Sequence, residues 1–212
     1  MAARQARLAL GVEIENLVNT PSHMIVNAAL QRAAGKRGAS VPFSAFVLGG
    51  LLPDVPLGVL SFAATFYYRV LLGNQSPDLM ENVLHPLYFN NPFWISAHNL
   101  LHSPVLLGIF LVVLWRWRDR AGEVQHWLFW FLVGCGIHAS IDILTHFNDG
   151  PLLPWPLNWQ LRFHSPVSYW DPAHFGGQFI IFEILLDVGL LAYLLIPKFL
   201  DRLSRRRESG NQ

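Results

Sequence analysis

The residues able to do chemistry gather first in one stretch, GCGIHASIDILTH, at 134–146. His138, Asp142 and His146 recur every four residues, so a helix projects all three from one stripe. Leu, Val, Ile and Phe surround them. Ionisable groups inside an apolar helix are costly, and by default they mark a functional site. A His followed by an Asp one turn later can offer two donors to a single metal ion. A hydrogen-bonded core histidine explains one such residue; it explains three in register poorly.

Similar residue types recur elsewhere. His98 and His102 repeat the four-residue spacing in AHNLLHSP. Asp54 stands in GGLLPDVPLG, where Gly49, Gly50, Pro53 and Pro56 must break or kink a helix. A carboxylate in a broken apolar helix is tolerated where it lines a cavity. The alternative there is a solvated turn between two short helices. His23 falls in the first turn of a helix opened by Thr20-Pro21. Asp149, in FNDGP, is a further candidate ligand in a turn-like context. Asp171 and His174 either reach over the site or structure their loop. Glu183 is a hydrogen-bond partner for a ligand histidine or a helix–helix contact. His85 and His126 read as surface or interface residues.

These groups need elements to hold them, and composition says which kind. Of 212 residues, 52% are hydrophobic and 14% charged, which is too apolar for an ordinary soluble domain. A net charge of +1 argues against nucleic acid as a partner. The lone Cys135 excludes a disulfide framework. The expectation is a single domain over 1–212, all-α: a multi-pass transmembrane bundle of about four to five helices. It has a tail at 1–19, a broken second helix over 41–72, and a loop at 73–95. A third helix enters at His98–Pro104, either kinked at Pro104 or capped afresh by Ser103. A fourth covers 126–146, a long irregular loop runs from 147 to 177, and a last helix covers 178–200. A basic tail, 201–212, follows.

Eleven of the 15 Lys and Arg fall at 32–37, 116–120 and 198–207, so these ends and the C-terminus are expected in the cytoplasm. The loops at 73–95 and 147–177 then face outward. The first helix either crosses fully or is re-entrant. Counting about 1.5 Å per residue from the basic ends puts His23, Asp54, His102, His138 and Asp142 all about 20–28 Å up. Four segments thus deliver ligand-type groups to one level.

The order of these motifs carries a resemblance. Ser22-His23, then Gly49-Gly50-Leu51-Leu52-Pro53-Asp54, then Leu101-His102-Ser103, then His138 with Asp142, is similar to the bacterial membrane-bound metal-dependent hydrolases. It resembles zinc-dependent phospholipase C more distantly. The likeness covers about 20–176; the lead-in Ala97-His98-Asn99 departs from that family's His-Arg-Gly. The resemblance implies a hydrolase and names no bond.

The resulting expectation is a hydrolase in the cell (inner) membrane, with His23, Asp54, His102, His138 and Asp142 binding one or two ions. Zn²⁺ suits imidazole plus carboxylate, and Mn²⁺ or Fe²⁺ also fit. His98, His146 and Asp149 are possible additional ligands. Asp54 and Asp142 are the catalytic candidates, either one able to bridge two metals facing a phosphoester. The position favours membrane lipid as partner and a lipid-like phosphoester as substrate. A metal or proton transporter and a non-catalytic structural metal site stand as alternatives.

Overall fold

The computed structural model describes residues 20–74, 76–116 and 122–209. The tail at 1–19, the 118 and 120 arginines of the second basic cluster and residues 210–212 lie outside them. Every regular element among the described residues is a helix, with no strand among them, and an irregular loop joins the last two long helices. Helix α1 spans 20–36 and ends where Gly38, at φ +84°, takes a left-handed turn. Then come α2 (Phe43–Leu51), α3 (Val55–Phe66) and α4 (His85–Asn90). They are followed by α5 (Pro92–Asn99), α6 (Pro104–Arg116), α7 (Glu123–Thr145) and α8 (Gly176–Ser209).

Two of these pairs are single apolar segments broken in the middle. The α2 and α3 axes meet at 40°, and those of α5 and α6 at 48°. Each break has a proline cause. Pro53 and Pro56 deprive the chain of amide donors around Asp54. Pro104 does the same after Ser103 and pushes Ser103 out of helical geometry. Ser103 then accepts from the Leu106 amide (3.4 Å), so the third segment is capped afresh rather than continuous, and His102 lies in the gap. Helices α7 and α8 are long and apolar enough to span alone; counting each bent pair as one span gives up to four. The expected broken second helix and multi-pass bundle are both present.

The loop expected at 73–95 is a correction. Most of it is helical: a π-turn at Met80–Leu84, then α4, then the start of α5. Its Asn and Pro residues act as helix starts. Asn91 Oδ1 accepts from the Phe93 and Trp94 amides (3.0 and 3.3 Å), with Pro92 at the first helical position. The final helix also runs further than expected, from Gly176 through the basic segment to Ser209.

Helices α2 and α7 form the tightest pair, and small residues explain it. A methyl group built on Gly49 would lie 2.5 Å from the Phe131 carbonyl oxygen and 2.8 Å from Gly134 Cα. Only glycine admits that backbone approach. Asn27, fully buried on α1, locks the pair by donating to the carbonyls of Phe46 (2.9 Å) and Gly134 (3.2 Å). The core between α2, α6 and α7 is built on Ala45, Leu107, Phe131, Leu132, Cys135 and Ala139. Helix α8 stands outside it, with Ile181, Phe182, Leu185 and Val188 exposed as a lipid-facing surface. Pro197 removes the donor for the Tyr193 carbonyl, and Arg32 supplies one, at 3.1 Å, with a second bond to Leu194 (2.7 Å). Ser22 binds Asp187 at 2.6 Å near the other end. Polar contacts of this kind tie α1 to α8 where apolar area gives no preference over lipid.

Candidate metal centre

Four ligand-type atoms meet at one point. Asp54 arrives from the α2–α3 break, His102 from the α5–α6 break, and His138 and Asp142 from adjacent turns of α7. One donor atom from each lies within 4.8 Å of the others. The His102 and His138 Nε2 atoms are 3.0 Å apart. Asp54 Oδ1 is 3.4 and 3.2 Å from them, and Asp142 Oδ2 is 3.2 Å from both. His102 and His138 are fully enclosed, and Asp142 nearly so.

Backbone carbonyls fix the chemistry of this point. His138 Nδ1 faces the Gly50 carbonyl at 3.0 Å, and His102 Nδ1 faces the His98 carbonyl at 2.6 Å. A carbonyl only accepts, so each Nδ1 carries the proton, and in a neutral ring each Nε2 presents a lone pair. Two lone pairs and two carboxylate oxygens then crowd together with no donor among them. Such a point is stable only around a cation, either a metal ion or added protons. A second residue holds the carboxylate on the exposed side: the Thr20 hydroxyl donates to Asp54 Oδ2 at 2.6 Å.

His23 joins from α1, one atom further out. Its Nε2 is 3.1 Å from Asp142 Oδ1, and its ring stacks on His138 with centroids 3.9 Å apart. Asp142 therefore turns one oxygen to the four-atom point and the other to His23, the arrangement of a bridging carboxylate. Four of the five residues expected as ligands are thus brought together at one point, and His23 joins them through Asp142.

The additional candidates are not. His98 stacks on His102 (4.2 Å) but sends neither nitrogen to the cluster, and both are buried without a partner. His146 falls one residue beyond α7, so it leaves the stripe. Its Nδ1 bonds the Asp142 carbonyl (3.0 Å), and its ring lies edge-on to Tyr169. Asp149 offers its carbonyl to the Tyr88 hydroxyl at 2.5 Å, outside the cluster. Asp171 caps a short 3-10 turn, Pro172–His174, and pairs with His174 at 2.7 Å. The Ala173 amide, then His174, holds its carboxyl below the usual range. Both serve the loop. Glu183 is buried on α8, and His126 binds the Ser40 carbonyl at the far end of α7.

The long loop docks onto the α5–α6 break that carries His102. Asn99, fully buried, accepts from the Leu152 amide (2.6 Å). Ser103 donates to the carbonyls of Leu153 (3.0 Å) and Trp155 (2.8 Å). The loop's Leu152 and Trp155 bury against Ile95. Sequence reasoning missed Thr20, Gly50, Asn99 and Ser103 as supports. A backbone carbonyl leaves no trace in residue type, though the Gly-Gly pair before Asp54 marked the place.

Apolar spans around a buried histidine–carboxylate cluster define a polytopic membrane protein, and Asp54, His102, His138 and Asp142 form a group able to hold a metal ion. The sequence model of the YdjM inner membrane protein family matches residues 18–200, and the chain belongs to that family. No curated protein and no solved structure matches it.

Proposed function

We propose that this protein is a membrane-embedded, metal-dependent hydrolase acting on a phosphoester of a lipid-like substrate. The observation that carries this reading is the convergence of Asp54, His102, His138 and Asp142 on one point, with both Nε2 lone pairs turned inward. Two imidazoles and two carboxylates suit Zn²⁺, and Mn²⁺ or Fe²⁺ also fit. Such an ion supplies Lewis acidity and a water acidic enough to attack near neutral pH. The chain's own part is to hold the donor set rigid through the Gly50 and His98 carbonyls and Thr20. Asp54 is the catalytic carboxylate on the open side, since it is the least buried of the four. Asp142 stands between the four-atom point and His23, where it can bridge a second ion.

The test is turnover. Purified protein in mixed micelles should release product from a short-chain phospholipid, lose activity to a chelator and regain it with Zn²⁺. Metal-dependent ion flux in liposomes without turnover would point instead to a transporter using the same residues.

The reading includes an orientation. The bias of Lys and Arg to these ends supports a cytoplasmic C-terminal segment and Arg116 end of α6, with 147–177 outside. In a Cys135→Ser background, an impermeant thiol reagent on intact cells should label Gln160→Cys and spare Ser204→Cys. The opposite pattern would invert the protein.

A further inference from the structure

Arg162, on the long loop, is a half-buried cation that forms no direct ion pair among the described residues. Its guanidinium sits 5.4 Å from the ring centroids of both Tyr88 and Phe89 and donates to the Gly150 carbonyl and, at 3.4 Å, to the Tyr88 hydroxyl. Asp149 turns its backbone carbonyl, not its carboxylate, to that hydroxyl.

The rings lead from this cation to the metal centre. Tyr88 lies edge-on to His98 with centroids 5.3 Å apart, and His98 stacks on His102 at 4.2 Å. His98 is 93% buried, yet neither of its ring nitrogens has a partner. A buried imidazole with two unmet nitrogens is costly unless something else supplies a bond. A guanidinium held on aromatic faces presents the fork that matches phosphate oxygens. Interior hydrogen bonds alone do not require it to be charged.

Resting on the hydrolase reading, we propose that Arg162 and His98 form the phosphate-binding side of the site. In this assignment they take non-bridging phosphate oxygens while the ester oxygen turns to the Asp54–His102–His138–Asp142 group. Tyr88 is a positioning residue: it accepts from Arg162 and packs against His98. A neutral ester would offer this cation no ion pair, so the substrate class is an anionic phosphoester.

The experiment uses full-length, Zn²⁺-loaded protein in detergent, titrated calorimetrically with inorganic phosphate and with dihexanoyl phosphatidate in micelles. Both probes carry the recognised group; binding of phosphate alone identifies the free anion as sufficient, and binding only of phosphatidate requires the lipid. Arg162→Gln should weaken whichever probe binds by about tenfold or more while metal content stays constant. Unchanged affinity, or no binding of either probe to the metal-loaded wild type, overturns the proposal. Because Arg162 also braces its loop, the unmutated protein gives a second reading. Phenylglyoxal labelling of Arg162, followed by peptide mass spectrometry, should fall when the probe is present, and labelling indifferent to it overturns the proposal. A protein that takes up no metal defeats the hydrolase reading separately, and the same labelling still decides the anion site.

Discussion

His138→Ala and Asp142→Asn should each strip the metal from the purified protein and abolish metal-dependent turnover. Both side chains come from adjacent turns of α7 and face the same point, grouped there with His102 and Asp54. Losing a group that only supports a ligand costs about 10–100-fold in affinity or activity, so losing a ligand costs at least that. Asp142→Asn keeps shape and burial while removing the charge. His138→Ala also frees the Gly50 carbonyl. The control is His126→Ala, on the same helix but bonded to Ser40 at the other end. It should keep its metal. The measurement is metal per protein by elemental analysis beside a thermal unfolding midpoint. Metal lost from His126→Ala and kept in His138→Ala would place the site at the wrong end of the bundle.

Gly49→Ala should be the most damaging glycine-to-alanine change among the described residues. Its new carbon would meet the Phe131 carbonyl oxygen at 2.5 Å, the Cys135 nitrogen at 2.8 Å and Gly134 Cα at 2.8 Å. All three are backbone atoms, so no side chain can swing aside, and α2 must lift from α7. Overpacking of this kind costs about 1–3 kcal/mol. The site should weaken too, because α2 leads into the Gly50 carbonyl and Asp54 while α7 carries His138 and Asp142. Gly136→Ala is the matched control, since a methyl there meets nothing within 4 Å. A lower unfolding midpoint and lower metal content for Gly49→Ala alone is the expected result. Equal tolerance of the two would contradict the close packing of α2 and α7.

The same two helices show how much the sequence discloses. The breaks at Asp54 and His102 were readable because proline has one local consequence, a missing amide, whatever surrounds it. The convergence of His23, Asp54, His102, His138 and Asp142 was readable as depth, because helix rise converts residue count into height. The helical nature of 73–95 was not. Asn91-Pro92 reads as a turn signal and as a helix start, and only the two amides that bond Asn91 Oδ1 decide between them. His146 shows the limit of periodicity. Four-residue spacing puts it on the ligand stripe only if the helix continues, and α7 stops at Thr145, where the Tyr169 amide bonds the Thr145 carbonyl at 3.0 Å. Arg162 had no signal at all. Its neighbours Tyr88 and Gly150 are distant in sequence, and spacing along the chain says nothing of them.

On the proposed reading, a cation fills the point where four acceptor atoms meet. Elemental analysis of detergent-purified, full-length protein, before and after incubation with Zn²⁺, Mn²⁺ and Fe²⁺, tests it most directly. The account predicts at least about 0.5 equivalents of one transition metal per chain, retained through gel filtration, with the amount reduced by lowering pH as the ligands protonate. A folded protein that retains none of these metals after loading would contradict it.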